Sequence, residues 1–279
     1  MSSGRPDVIR GWLALTFCKF TTATLNVLRQ SLLGCVNIVC ALAAMACGSS
    51  AISSRTPSIP DIWGVWMGLG GVTDADLRYR NSPFPAPQFT EWGAAESRRL
   101  ATPITPGECN PWSPVMFMNG GGLFPIQILQ GPNVIVILHE AVTQPRRIYM
   151  DGRAHPAPDE LLPSFLGDSI GRWEGDTLVI DTIGTNGRAR PINGYVAGAV
   201  TSGVDTAPRL PASDQLHVTE RIRLAGGGQY LENEITVDDP KTYLKPWTVK
   251  RYWQRRSDID LQEYACTDNS RRDAEGQEP

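Results

Sequence analysis

Five residues carry polar or charged side chains where a strand pattern calls for apolar ones. Asp181 stands between Val179 and Ile183 in TLVIDTI, and Glu220 among Leu216, Val218, Ile222 and Leu224 in QLHVTERIRL. Asn233 sits with Leu231, Ile235 and Val237, Arg251 with Trp247, Val249 and Trp253, and Glu263 with Ile259, Leu261 and Ala265. Side chains alternate faces along a strand, so each of these segments is expected to point one hydrogen-bonding group inward. Two chemistries fit. In one, Arg251 forks between Glu220 and Glu263 while Asn233 completes a structural network. In the other, the groups floor an apolar cavity, where Asp181 or Glu220 serves as acid or base. Arg251 and Asn233 would then stabilise developing negative charge. Glu263, Trp247, Trp253 and Tyr243 would contact the ligand, the indoles supplying flat apolar surface.

Other residues stand apart from this set. His217 shares the opposite face of its strand with Thr219, Arg221 and Arg223, which reads as a solvated face or a barrel mouth. Arg153 and His155 lie in DGRAHP, a turn after a strand, where binding residues gather. His139 ends an apolar strand and reads as a core or strand-end histidine. GDSIG (167–171) matches the G-x-S-x-G pattern but lacks the strand before and helix after that expose a nucleophilic serine. The three histidines have no ligand spacing, and no phosphate loop or dinucleotide fingerprint is present. Neither a metal nor a cofactor is therefore expected.

The elements that must position these groups are mostly strands. PDIWGVWMG (60–68), LFPIQIL (123–129), NVIVILHE (133–140), RRIYMD (146–151) and TLVIDTI (177–183) are rich in β-branched and aromatic residues. So are QLHVTERIRL (215–224), YLENEITV (230–237), WTVKRYWQ (247–254) and IDLQEYAC (259–266). A turn at Glu174-Gly175-Asp176 joins a short strand to TLVIDTI. One helix is expected over 89–101, with Thr90 as its cap. Strands following one another without helices predict an all-β fold, an antiparallel sheet closed into a barrel. The long stretch 184–214 reads as a lid or binding loop.

The chain has 279 residues. An apolar run, LLGCVNIVCALAAMAC (32–47), follows Arg29 and ends in small residues, the layout of an export signal. Its last residue, Cys47, is a possible lipidation point and the one expected link to a membrane. The expected organisation is an export segment over 1–46, a linker over 47–59, a single β-barrel over 60–268 and a polar tail over 269–279. The first 46 residues hold four basic side chains and one acidic, so without them the net charge moves from −3 to −6. That balance argues against nucleic acid as a partner. Cys109 and Cys266 remain in the body, reading as one disulfide or as two buried thiols.

Gly64-Val65-Trp66, after a Pro-Asp turn, resembles the opening of lipocalins and other calycin barrels. That likeness implies a barrel whose base is closed by the tryptophan, with a basic residue from the last strands packed on it, for which Arg251 is the candidate. DGRAHP, GRWEGDTLVIDT, LHVTER, DDPKTYLKPW and EYAC together resemble a large family of exported proteins from soil and environmental bacteria, most of them hypothetical. The resemblance spans about 105–268 and implies export, a β architecture and a Cys109–Cys266 bridge. Members show His where this chain has Asp168, and His-Ser where it has Ala212-Ser213. The expectation is an exported calycin-like barrel that binds a small, partly apolar organic molecule. Acid–base catalysis without a cofactor is one role; a carrier, or an interaction protein with a structural polar core, is another.

Overall fold

The computed structural model describes residues 59–69, 78–86, 88–100, 111–119, 124–193 and 209–265. The export segment, Cys47, Cys109, Cys266, the polar tail and residues 194–208 of the long loop lie outside the described residues. Nine strands close a barrel: β1 (Gly64–Gly68), β2 (Pro125–Gln130), β3 (Val134–His139), β4 (Val142–Tyr149), β5 (Asp168–Glu174), β6 (Thr177–Ile183), β9 (His217–Ala225), β10 (Tyr230–Asp238) and β11 (Trp247–Arg256). Around the barrel the order is β1-β11-β10-β9-β6-β5-β4-β3-β2. β7 (Ile192–Asn193) and β8 (Arg209–Leu210) form a small separate ladder. Helix α1 (Glu91–Leu100) is capped by the Thr90 hydroxyl, which accepts from the Gly93 amide at 3.0 Å. A four-residue helix, α2 (Pro114–Phe117), is added to it.

The interior is filled by alternate residues of each strand. Trp66, Ile126, Ile128, Ile137, Ile148, Leu178, Ile180, Val218, Ile222, Leu231, Ile235, Val249 and Trp253 are all buried in one apolar cluster. Two expectations about this core need correction. The residue on Trp66 is Arg255, not Arg251: its guanidinium lies 4.3 Å from the indole centroid and donates to the carbonyls of Asp61, Trp63 and Gly228. Arg251 instead lies over Phe84 at 4.2 Å. The segment 259–265 forms no strand, and Glu263 is exposed.

The sheet is antiparallel with one exception, and that exception shapes the site. β4 and β5 run parallel and pair only at Tyr149↔Ile170. Their sparse pairing has a local cause. Between Ile137↔Arg146 and His139↔Val142 the β3–β4 register slips, so β4 bulges, and Pro145 in the bulge has no N–H to offer a ladder. Across the gap, Gly167 precedes β5 with φ +70°, and a Cβ there would lie 2.4 Å from the Ile183 carbonyl oxygen. The wall therefore opens between residues 144–149 and 164–169.

Candidate functional site

A cavity of about 390 Å³ fills this seam, lined by both strand ends and by the loop before β5. Pro145, Tyr149 and Leu166 give it apolar and aromatic wall, while Ser164 and Ser169 contribute hydroxyls. Its charged lining is Arg146, Arg147 and Asp168.

Asp168 is the first member of a chain of hydrogen bonds across the outer wall. Its Oδ1 lies 2.6 Å from His155 Nδ1. His155 Nε2 lies 3.0 Å from Asp181 Oδ2, and Asp181 Oδ1 lies 2.6 Å from His217 Nε2. The strands explain how groups distant in sequence meet. Ser169↔Thr182 and Thr182↔Val218 pair on the inner face, so the alternate residues Asp168, Asp181 and His217 project outward. His155 reaches them from the connection after β4 and binds a carboxylate at each ring nitrogen. The His217 side chain is 44% exposed, so the chain leads from the cavity to solvent. Burial acts to raise the Asp181 carboxyl, but hydrogen bonds from His217 and His155 outweigh it and hold the group below the usual carboxylate range.

Asp181 belongs to this chain, but for a different reason than its sequence neighbours imply. The buried face of β6 carries Leu178, Ile180 and Thr182, and Asp181 occupies the other. The polar groups that do point inward are Glu220, Asn233 and Arg251, together with Arg146. Glu220 is 0% exposed and engages Arg146 Nη2, while its Oε1 accepts from Asn233 Nδ2 at 2.8 Å. Arg146 Nη2 also donates to Thr182 Oγ1 at 3.1 Å. Both Glu220 oxygens are thus occupied, and the carboxylate pairs with Arg146 away from solvent. Arg251 takes no part in that pair. It donates to Asn119 Oδ1 and to the carbonyls of Ser82 and Lys250, and burial pulls its guanidinium down to about 10.

The remaining expected contacts lie at separate places in the fold. Tyr243 is buried, stacks on Phe89, meets Trp247 edge-on and donates to the Pro211 carbonyl at 2.8 Å. Trp247 also packs edge-on against Phe84, and Trp253 is an interior residue. Arg153 lies 4.0 Å over the Tyr149 ring and pairs with Asp151, both outside the hydrogen-bond chain. His139 is buried among Trp112 and Phe117, with its imidazole pushed down to about 4 by desolvation. Ser169 lies within β5, bonded to Thr182 Oγ1 at 2.8 Å, so GDSIG forms no nucleophile elbow.

Sequence reasoning missed Asp168 and Arg146. Arg146 left a usable signal, since it shares a strand face with Ile148 just as Glu220 does with Ile222.

No family model matches the chain, and no curated protein matches it. Among solved structures it is similar to a secretary abundant heat soluble (SAHS) protein from Ramazzottius varieornatus, at 12% identity and a TM-score of 0.25, covering 70% of this chain and 95% of that one. A likeness so distant carries no functional inference.

Proposed function

We propose that the protein binds a small, partly apolar organic molecule in the β4–β5 seam and catalyses proton transfer on it without a cofactor, as an isomerase or lyase. The observation that carries this reading is His155 held between two carboxylates, one of which lines the cavity. Asp168 is the group placed to meet a substrate and acts as the base. His155, Asp181 and His217 then pass the proton outward through consecutive hydrogen bonds, and the exposed His217 exchanges it with water. The export-type segment at 32–47 supports a periplasmic or extracellular setting, as does the resemblance to exported environmental proteins.

Hydrogen exchange tests this without knowledge of the product. The full chain is incubated in D₂O with carbon acids such as aryl ketones, cyclic enones and arylacetates, and C–H loss is followed by NMR. Protein-dependent exchange that falls about 10²–10⁴-fold in Asp168→Asn and His155→Gln is expected. Exchange equal to the buffer rate for every compound, including those that bind, would sink the catalytic role and leave a carrier.

A further inference from the structure

Resting on that reading of the seam, we infer that its substrate is a small organic carboxylate, recognised by Arg146 with Arg147 at the rim. Arg146 lines the cavity, yet its side chain is only 1% exposed and a single nitrogen of its guanidinium is engaged. Nε and Nη1 have no hydrogen-bond partner. Buried donors without an acceptor are rare and destabilising, so a guanidinium left in this state calls for an acceptor that arrives from outside the chain.

The charge balance points to an anion. Three ionisable side chains other than Tyr149 line the cavity: Arg146 and Arg147 are cationic, and the one acid, Asp168, is already bonded to His155. Arg147 is exposed and makes no ion pair among the described residues. Inside the barrel Arg146 pairs with Glu220, and Arg251 contacts only neutral oxygens. His139, the other inward ionisable group, is neutral above a pH of about 4.

Shape narrows the class. A volume of about 390 Å³ sits near the lower end of the roughly 300–1,000 Å³ that ligand sites span, so the anion has a compact body. Pro145, Leu166 and the Tyr149 ring are apolar neighbours for that body. A carboxylate on a short aromatic or alicyclic frame fits this lining. The neutral amide of the same shape does not use it, because it brings no charge to the two guanidinium groups.

Calorimetric titration of the full chain with benzoate and cinnamate, beside benzamide and cinnamamide, tests the inference. The carboxylates are expected to bind about tenfold or more tightly than their amides, the margin of a charge-assisted hydrogen bond. Arg146→Lys keeps the cation opposite Glu220 but loses the fork, and should weaken carboxylate binding about tenfold. Should that variant fold poorly, Arg147→Gln, at an exposed position, should still weaken it several-fold. Arg172→Gln, outside the cavity lining, should bind carboxylates as the wild type does. Equal binding of acids and amides, or binding indifferent to both arginine changes, would overturn the anion inference while leaving the seam as a site. Binding of neither kind would overturn the seam as a small-molecule site, and the proposed function with it.

Discussion

His155 Nδ1 stands 2.6 Å from Asp168 Oδ1, one residue in the connection after β4 and the other at the start of β5. Asp168 is the cavity-lining end of a four-group hydrogen-bond chain, and His217 is its exposed end. The two ends should therefore behave differently when cut.

Replacing the exposed end, His217→Gln, should slow proton release without abolishing the transfer. The expected loss is about tenfold, and added imidazole buffer should restore much of it, since a small base can stand where the side chain was. Exchange rates measured against imidazole concentration decide this. The same buffer should do little for Asp168→Asn, whose defect lies within the cavity.

The Arg146–Glu220 pair makes a contrasting prediction about stability. Glu220→Gln leaves a buried guanidinium without its counter-ion and should cost about 3–5 kcal/mol in urea unfolding. Replacing both residues by methionine removes the unpaired charge and should recover most of that loss. An additive loss in the double variant would contradict the pairing.

His139 predicts an acid limit to stability. Burial depresses its imidazole from the ordinary 6.5 to about 4, so below pH 6.5 the unfolded chain binds a proton that the folded chain refuses. Stability contributed by this residue is complete above pH 6.5 and is lost as pH falls toward 4. The full effect is about 3 kcal/mol. Unfolding free energies measured from pH 7 to 4 should fall less steeply in His139→Gln than in the wild type.

Arg255 holds the base of the barrel. Arg255→Ala removes the cation over Trp66 and donors to the Asp61, Trp63 and Gly228 carbonyls, and should cost about 2 kcal/mol. Arg255→Lys should recover only a fraction, because one ammonium cannot serve three diverging carbonyls. Thermal unfolding of the two variants checks both statements.

The barrel was legible in the chain because strand composition and turn residues are local signals: β2, β3, β6, β9, β10 and β11 fall where alternation placed them. Four things were not. Asp181 was assigned to the wrong face because TLVIDTI is apolar on both, with Val179 and Ile180 each buried, so alternation alone leaves the parity open. Arg251 was paired with Glu220 on strand pattern, yet the partner is Arg146, brought there by the β3–β4 register slip and the parallel seam. Glu263 was given a strand that 259–265 does not form. Asp168 and His155 meet through the connection from 150 to 167, whose path no periodicity describes.

The central claim is that a ligand enters the seam beside His155. The chain contains three histidines, so its imidazole spectrum is simple, and one of them, His139, is buried elsewhere in the barrel as an internal control. The direct test is a heteronuclear NMR titration of the full chain with cinnamate, observing the three imidazoles. The account predicts that the His155 ring signals move and saturate with the ligand, His217 follows more weakly, and His139 stays fixed. Movement of His139 with His155 unchanged would place the ligand away from the seam and contradict it.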